Sequence, residues 1–252
     1  NMIEIGDMFS GPALQPFQQK LANIQGIEST TLSSNSILGG FIMQLTIQKE
    51  DGSEEMRALT FIHSDSTFFP TMNVRILQGM SPQEALSKYD SPFYINENYA
   101  RWTNTGPDDI GVKKKKDINP QDFPQAENVL AGIIENIPTN SLQEEIMAQE
   151  ITLHETGDPY LSKNGMYIQI RIKPDKREET IAAIKQLYEE TFDGRDYIYI
   201  DMHQMFLDRN KELIQMSDIL KAYSTIALLL TCFGVFGISW HAVRQRTREI
   251  AI

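Results

Sequence analysis

Residues 222–243 read AYSTIALLLTCFGVFGISWHAV, twenty-two positions without a single Asp, Glu, Lys or Arg. As a helix rising about 1.5 Å per residue, such a run spans about 33 Å. That matches a bilayer hydrocarbon core of roughly 30 Å. Arg244, Arg246 and Arg248 follow at once, and short basic flanks of spanning helices stay cytoplasmic. Trp240 stands near that boundary, where aromatic rings favour the headgroup zone. The alternative is a buried core helix, but a core helix of this length rarely lacks a polar face. The segment predicts a membrane-spanning helix, with the 221 residues before it on the side opposite the arginines.

Charge follows the same division. The first 221 residues carry 20 Lys and Arg against 33 Asp and Glu, whereas 222–252 carry three Arg and one Glu. An acidic ectodomain beside a basic C-terminus fits an anchored protein. It argues against nucleic acid as a partner, which requires clustered Lys and Arg. The single cysteine, Cys232, lies inside the apolar run, so no disulfide forms within the chain and the fold must stand on its core. A cysteine-free ectodomain is compatible with a bacterial periplasm. The chain begins at Asn1 without a signal peptide. The expectation is therefore a piece of a longer protein whose export is served by an earlier spanning helix upstream.

Along the ectodomain, Leu14, Phe17, Leu21 and Ile24 fall on one helical face, with Gly26 as the expected stop just beyond it. Phe41, Met43, Leu45 and Ile47 alternate as a half-buried strand. Asp51-Gly52 signals a hairpin, and Met56–Ile62 supplies the return strand. The first 62 residues thus read helix, strand, strand, hairpin, strand. A related unit comes late. Met166, Ile168, Ile170 and Ile172 alternate as a strand. Ile181, Ile184, Leu187 and Phe192 mark a helix over 178–192, and Tyr197–Ile200 is a second strand. That spacing suits a βαβ unit. Two such units at opposite ends of the chain predict one shared sheet.

The stretch 66–163 is different, punctuated by Pro70, Pro82, Pro92, Pro107, Pro120, Pro124, Pro138 and Pro159. Strand-like pieces occur at Phe93–Ile95, Val129–Ile134 and Met147–Leu153, and the whole reads as an inserted mixed or mostly β lobe. From Met202 to Lys221 there is no Gly or Pro, which predicts one continuous stalk helix entering the membrane.

The chemistry-bearing motifs are few. No Gly-Lys pair occurs, so a phosphate-binding loop is excluded and ATP hydrolysis must come from another chain. No GxSxG elbow occurs. His63, His154, His203 and His241 form neither HxxxH nor HExxH and read as single structural or solvated residues, with a proton role at His241 the minor alternative. Glu54-Glu55 and Glu144-Glu145 read as solvated surface. Lys113–Lys116 reads as a solvated loop, with contact to lipid phosphates or an acidic partner as the alternative. The eleven methionines read chiefly as core filling. Gly234 and Gly237 allow a neighbouring helix to approach, without GxxxG spacing. No catalytic, cofactor-binding or metal site is assigned to any residue, and no cofactor is expected.

Gln245-Arg246-Thr247-Arg248-Glu249-Ile250-Ala251-Ile252, after the Gly-containing apolar helix, resembles the start of the FtsX-like transmembrane domain of MacB-type ABC transporter permeases. The recurring pattern there is Q-R-[ST]-[KR]-E-I-[AG]-I. Thr67–Val74 with Leu77-Gln78-Gly79 is similar to the "yF.tl.i.ll.G" segment of that family's extracytoplasmic core domain. Phe93-Tyr94-Ile95-Asn96-Glu97 resembles its "v.INE" strand-to-helix turn. Ile110-Gly111 and Val129–Glu135 resemble its "iG … vvGvv.d" segment. Two features depart from it: the loop from Lys113 through Asp122 is longer and more basic, and Gln78 replaces the commoner small residue.

The resemblance implies an α+β fold of two lobes. A porter-like lobe comes from both ends of the ectodomain (1–65 and 164–205), with an inserted sabre-like lobe at 66–163. A stalk helix at 206–221, the membrane helix at 222–243 and a cytoplasmic basic segment at 244–252 complete the chain. The resemblance also implies a non-enzymatic permease with four or more membrane helices, a homodimer or pseudo-dimer, in a bacterial inner membrane with 1–221 in the periplasm. Its expected partners are a cytoplasmic ABC ATPase and a periplasmic adaptor protein. Two rival functions are an FtsX-like regulatory scaffold acting on an envelope partner and a single-pass anchored binding or sensory domain.

Overall fold

Alternation of apolar and polar residues at both ends of the chain builds four neighbouring strands. In the computed structural model, which describes residues 1–6, 13–37, 42–48, 54–112, 128–138, 146–155, 157–163 and 167–250, β1 is Met2–Gly6 and β2 is Ile27–Ser33, joined by helix α1, Leu14–Leu21. The chain continues as β3 (Ile42–Gln48), β4 (Glu54–Asp65), α2 (Phe68–Met72), β5 (Ile76–Gly79), α3 (Pro82–Lys88), β6 (Phe93–Asn96) and α4 (Glu97–Trp102). Then come β7 (Leu130–Ile134), β8 (Ala148–His154), α5 (Pro159–Lys163), β9 (Tyr167–Ile172), α6 (Arg177–Thr191) and β10 (Tyr199–Asp201). Two helices close the chain, α7 (Met202–Arg209) and α8 (Lys211–Ile250).

β1 lies between the two late strands, antiparallel to both, with Glu4 opposite Ile200 on one side and Gln169 on the other. β9 then pairs with β2. The order β10-β1-β9-β2 interleaves two split βαβ units, β1-α1-β2 and β9-α6-β10, as in ferredoxin-like folds. Everything from residue 34 to 166 is inserted between the second and third strands of that pattern. Leu14, Phe17 and Leu21 from α1, and Ile184 and Tyr188 from α6, close one sheet face over Ile3, Ile5, Ile168, Ile170 and Ile172. Each of those side chains, removed from water, contributes about 1.5–3 kcal/mol. The buried face of α6 is centred on Thr180, Ile184 and Tyr188, with the expected Ile181 and Leu187 at its margins.

Gly26 is not the stop of α1, whose C-cap is Ala22. It serves a different need. Its φ is +103°, and a Cβ there would lie 2.1 Å from Thr180 Oγ1. The turn before β2 passes so close to α6 that only glycine fits.

The same sheet runs on through the inserted region as β2-β4-β8-β6-β7-β5, with β3 pairing the first part of β4 on the side away from β8, where β2 meets its end. β4/β8 and β6/β7 are parallel, β8/β6 and β7/β5 antiparallel. β7 and β8 are buried along their whole length, because the sheet is covered on both faces here. Ile62, Phe68, Phe69, Tyr94, Ile134 and Ile151 form the core on one side; Phe93, Ile95, Leu130 and Ile133 form a smaller one. Gly79 has a φ of +114°, and a Cβ would fall 2.3 Å from the Ala131 carbonyl oxygen, so the β5 edge closes on β7 only without a side chain there.

The three strand segments expected in the middle of the chain correspond to β6, β7 and β8. The expected hairpin at Asp51-Gly52, Phe41 and Met166 lie outside the described residues. β3 and β4 do pair antiparallel, with Thr46 opposite Met56. The stalk expectation is corrected. The helix is broken at Asn210, whose N–H donates to the Leu207 carbonyl (3.2 Å) while its carbonyl accepts from Ile214 N–H (2.9 Å). α7 thus closes in a tightened last turn and α8 begins anew. Lack of Gly and Pro permits continuity but does not impose it, and Asn tolerates such boundary positions. Residues 1–206 form one compact unit and 207–252 a second.

Candidate functional site

The second unit is dominated by α8, the one helix among the described residues long and apolar enough to cross a membrane. It is continuous over 40 residues. Ile226, Leu228, Leu229, Leu230, Val235 and Ile238, which at about 100° per residue stand all round the helix, are exposed, so no polar face develops around its charge-free part. Thr225 and Thr231 donate their hydroxyls to the carbonyls of Lys221 and Ala227 (both 2.8 Å). In lipid, that arrangement satisfies both threonine hydroxyl protons. Lys221 pairs with Asp218 at 3.0 Å where the charged sequence ends. Cys232 and His241 are exposed along the same helix.

In the first unit, polar groups concentrate where the two halves of the sheet join. β2 meets β4 at a single register pair, Ser33 with Ser64. Beside it the fully buried Asp65 accepts five hydrogen bonds. Thr31 Oγ1 (2.9 Å), Thr67 N (3.0 Å) and the Thr67 hydroxyl serve Oδ1; Gln18 Nε2 (3.0 Å) and Leu32 N (3.2 Å) serve Oδ2. Donors thus arrive from α1, β2 and the approach to α2. Buried carboxylates persist only with such hydrogen bonding. Nearby, Glu4 Oε2 accepts from Gln169 Nε2 (2.9 Å) and Ile37 N (3.3 Å). Arg171 of β9 reaches the Thr71 carbonyl of α2 at 2.8 Å through Nε. Further into the inserted half, Asn96 both caps α4, accepting from Tyr99 N at 3.0 Å, and donates to Gln149 Oε1 at 3.1 Å. The segment expected as a strand-to-helix turn is therefore one, and its Asn is the hinge residue of a buried amide network.

At the other end of the sheet, Asp201 ties strand to exit helix. Its Oδ1 accepts from His203 N (3.0 Å) and Gln204 N (3.1 Å), capping α7, and its Oδ2 pairs with Arg177 at the start of α6 (2.5 Å).

Two of the histidines read as isolated are in contact. His63 Nδ1 lies 2.9 Å from His154 Nε2, and His154 Nδ1 lies 3.0 Å from Asp158 Oδ2. Tyr160 stacks on His154 with centroids 4.8 Å apart and planes 5° from parallel. Burial pushes the Tyr160 hydroxyl up. Ninety-one residues separate the two histidines, so spacing gave no sign of the contact; the parallel pairing of β4 with β8 creates it. His203 is exposed, with only its backbone N–H in the cap.

Lys113–Lys116 and Glu144-Glu145 lie outside the described residues. Glu54 and Glu55 begin β4 opposite Gln48 and Ile47. Met43, Met72, Met80 and Met202 pack partly buried against cores, whereas Met56 and Met216 are exposed. No group of His, Cys, Asp and Glu able to hold a metal ion occurs among the described residues.

A solved structure shares this architecture. The periplasmic region of MacB from Actinobacillus actinomycetemcomitans matches with a TM-score of 0.50 at 9% identity, over 85% of this chain and 92% of that one. At such identity the likeness is one of fold: the chain has the α+β fold of that periplasmic region. The extracellular domain of the noncanonic ABC-type transporter YknZ from Gram-positive bacteria matches at a TM-score of 0.49, 13% identity, and 79% and 98% coverage. A domain of a presumed permease protein from Porphyromonas gingivalis matches at 0.48, 18% identity, and 79% and 87% coverage. No family model matches the chain, and no curated protein does.

Proposed function

We propose that this chain is the extracytoplasmic domain and adjoining membrane helix of a permease subunit in a MacB-like ABC transporter. One observation carries the reading: a fold shared with the MacB periplasmic region is followed in the chain by a helix whose charge-free stretch is of spanning length. The octapeptide from Gln245 to Ile252, similar to the FtsX-like start, supports it. In this reading residues 1–221 lie in the periplasm and the arginines after Val243 at the cytoplasmic face of the inner membrane. A separate or fused ABC ATPase hydrolyses ATP, and two permeases pair as a homodimer or pseudo-dimer. The ectodomain, in a porter-like and a sabre-like lobe, converts their motion into work on a substrate or periplasmic adaptor.

What supports two lobes is the separation of the core around Ile3 and Ile168 from that around Ile62 and Tyr94. β4, although early in sequence, contributes Leu59, Phe61 and Ile62 to the cores of the inserted half, so we draw the crossing between lobes at the β2–β4 contact. An unbroken α8 carries displacement, and the break at Asn210 absorbs bending.

The test uses the full-length protein. In a Cys232→Ser background, Lys185→Cys should label with an impermeant maleimide from outside intact, outer-membrane-permeabilised cells, and Arg248→Cys should not. Purified from membranes, the protein should bring an ATPase whose hydrolysis in liposomes depends on this chain. Labelling at 248 rather than 185 overturns the orientation. Purification without a nucleotide-hydrolysing subunit overturns the transporter reading in favour of an anchored binding domain.

A further inference from the structure

The His63–His154 pair stands at a junction. Both imidazoles grow from adjacent parallel strands, β4 and β8, yet what covers them is α5. Tyr160 of α5 stacks on His154 and sits 4.6 Å from the His63 ring. The next residue, Leu161, is buried in the other core, with Ile3, Leu14 and Ile168. Asp158, in the turn leading into α5, holds His154 Nδ1 through Oδ2 and accepts Tyr160 N–H through Oδ1 at 2.8 Å. One short segment thus spans from the imidazole pair to the opposite core.

Hydrogen-bond accounting limits how many protons the pair tolerates. A nitrogen–nitrogen contact of 2.9 Å needs one N–H and one lone pair between the rings. Facing a carboxylate, His154 Nδ1 carries a hydrogen, so in the neutral pair His154 Nε2 accepts and His63 Nδ1–H donates. One added proton on His63 Nε2 leaves that bond intact. A second must go to His154 Nε2, which sets N–H against N–H and two positive charges against each other. The rings then have to part, and Tyr160, lying over both, has to move with them.

We propose that the His63–His154 pair is a proton-operated latch, holding α5 against β4 and β8 while it carries at most one added proton and releasing it when it carries two. Histidine titrates between about pH 5 and 8, a range in which the latch responds to acidification. Among the described residues, the charged groups nearest to it in the chain are Asp158, Glu155 directly after His154, and Asp65 two residues beyond His63. Asp65 is occupied by Gln18, Thr31, Leu32 and Thr67. Burial acts to raise the Asp158 carboxyl, but the Tyr160 N–H and His154 outweigh it and hold it below the ordinary range. It therefore stays ionised at pH 5.

The test is hydrogen exchange by mass spectrometry on the whole chain in detergent micelles, at pH 7.5 and 5.0, normalised to intrinsic rates. Peptides spanning 157–162 should exchange at least about tenfold faster at pH 5.0, equivalent to about 1.4 kcal/mol of lost protection. In His63→Gln the amide can donate to or accept from His154, so the protection should become flat with pH. In Asp158→Asn the second proton is harder to add, so release should move to lower pH. Unchanged wild-type protection at pH 5.0 overturns the latch, as does a His63→Gln variant that keeps the acid-induced loss. Should His63→Gln fail to fold, Asp158→Asn decides: a release pH that stays or rises overturns the proposal.

Discussion

Replacing Asp65 isolates what the sheet junction contributes. Asp65→Ala removes an acceptor of five hydrogen bonds at a site closed to water. The losses are unequal. The Thr31 hydroxyl keeps Ser64 Oγ at 3.2 Å and the Thr67 hydroxyl keeps the Thr30 carbonyl at 2.7 Å. Leu32 N–H, buried against Asp65 Oδ2, should cost about 1–3 kcal/mol when orphaned. Thr67 N–H and Gln18, partly exposed, add about 1–2 kcal/mol together. The expected total is about 2–5 kcal/mol, or a fall in melting temperature of roughly 4–20 °C for a domain of this size. Asp65→Asn should cost less, about 1–3 kcal/mol, because its oxygen still serves Thr31 and Thr67 and the Gln18 amide can turn, while Leu32 N–H meets an NH2 group. Guanidinium titration in micelles, followed by far-UV circular dichroism, gives both values if the slope stays constant. An Asp65→Ala variant within about 0.5 kcal/mol of wild type would falsify the junction argument. An Asn variant worse than Ala would refute the donor geometry.

Three further outcomes follow. Asp201→Asn should retain the α7 cap but lose the Arg177 pair, at a cost of about 1 kcal/mol or less. Asp201→Ala should lose both and speed exchange of the His203 and Gln204 amides roughly 5- to 30-fold; equal exchange in the two variants would remove the cap from the account. Gly79→Ala should destabilise by about 2 kcal/mol or more, since a positive φ and a backbone clash coincide; a thermal melt matching wild type contradicts the close approach. Because the Asp158 carboxyl is held low in the folded chain, its contribution is present above its unfolded pKa of about 3.9 and is lost as pH falls through the folded value. Melting of the wild type should therefore drop more steeply between pH 5 and 2.5 than melting of Asp158→Asn, and parallel curves would count against it.

Legibility in the sequence followed element length and locality. α6, with fifteen residues, and β9, with strict alternation, were plain. So was α8, because twenty-two uncharged residues admit few structures. The helices α2, α4 and α5 have only five or six residues, too few to establish a 3.6-residue period. α3 was missed although its signature is present: Ser81 caps through Glu84 N–H and Pro82 opens the first turn, a start signal readable without periodicity. β1 is five residues long, and nothing local says that it belongs between strands 161 and more residues away, the nearest pair being Gly6 with Tyr167. The imidazole pair and the Asp65 hub were illegible for the same reason. Both are made by register between distant strands, and a single sequence carries no record of register.

The interleaving of the sheet also sets an order of events. A chain emerging N-terminus first offers β1 nothing to pair with, since both its neighbours, β9 and β10, come after residue 166. β3 and β4, by contrast, are adjacent in sequence and can zip as soon as both have emerged. The inserted half can thus build much of its sheet while the first strand waits. The half formed from both ends closes last, across a loop whose closure entropy must be met before its core offers any return. Until then Ile3 and Ile5 remain an uncovered apolar edge. The vulnerable interval in this protein's biogenesis is therefore the one between emergence of β1 and emergence of β9 and α6, and a chain cut short before Tyr167 would leave that edge open for good.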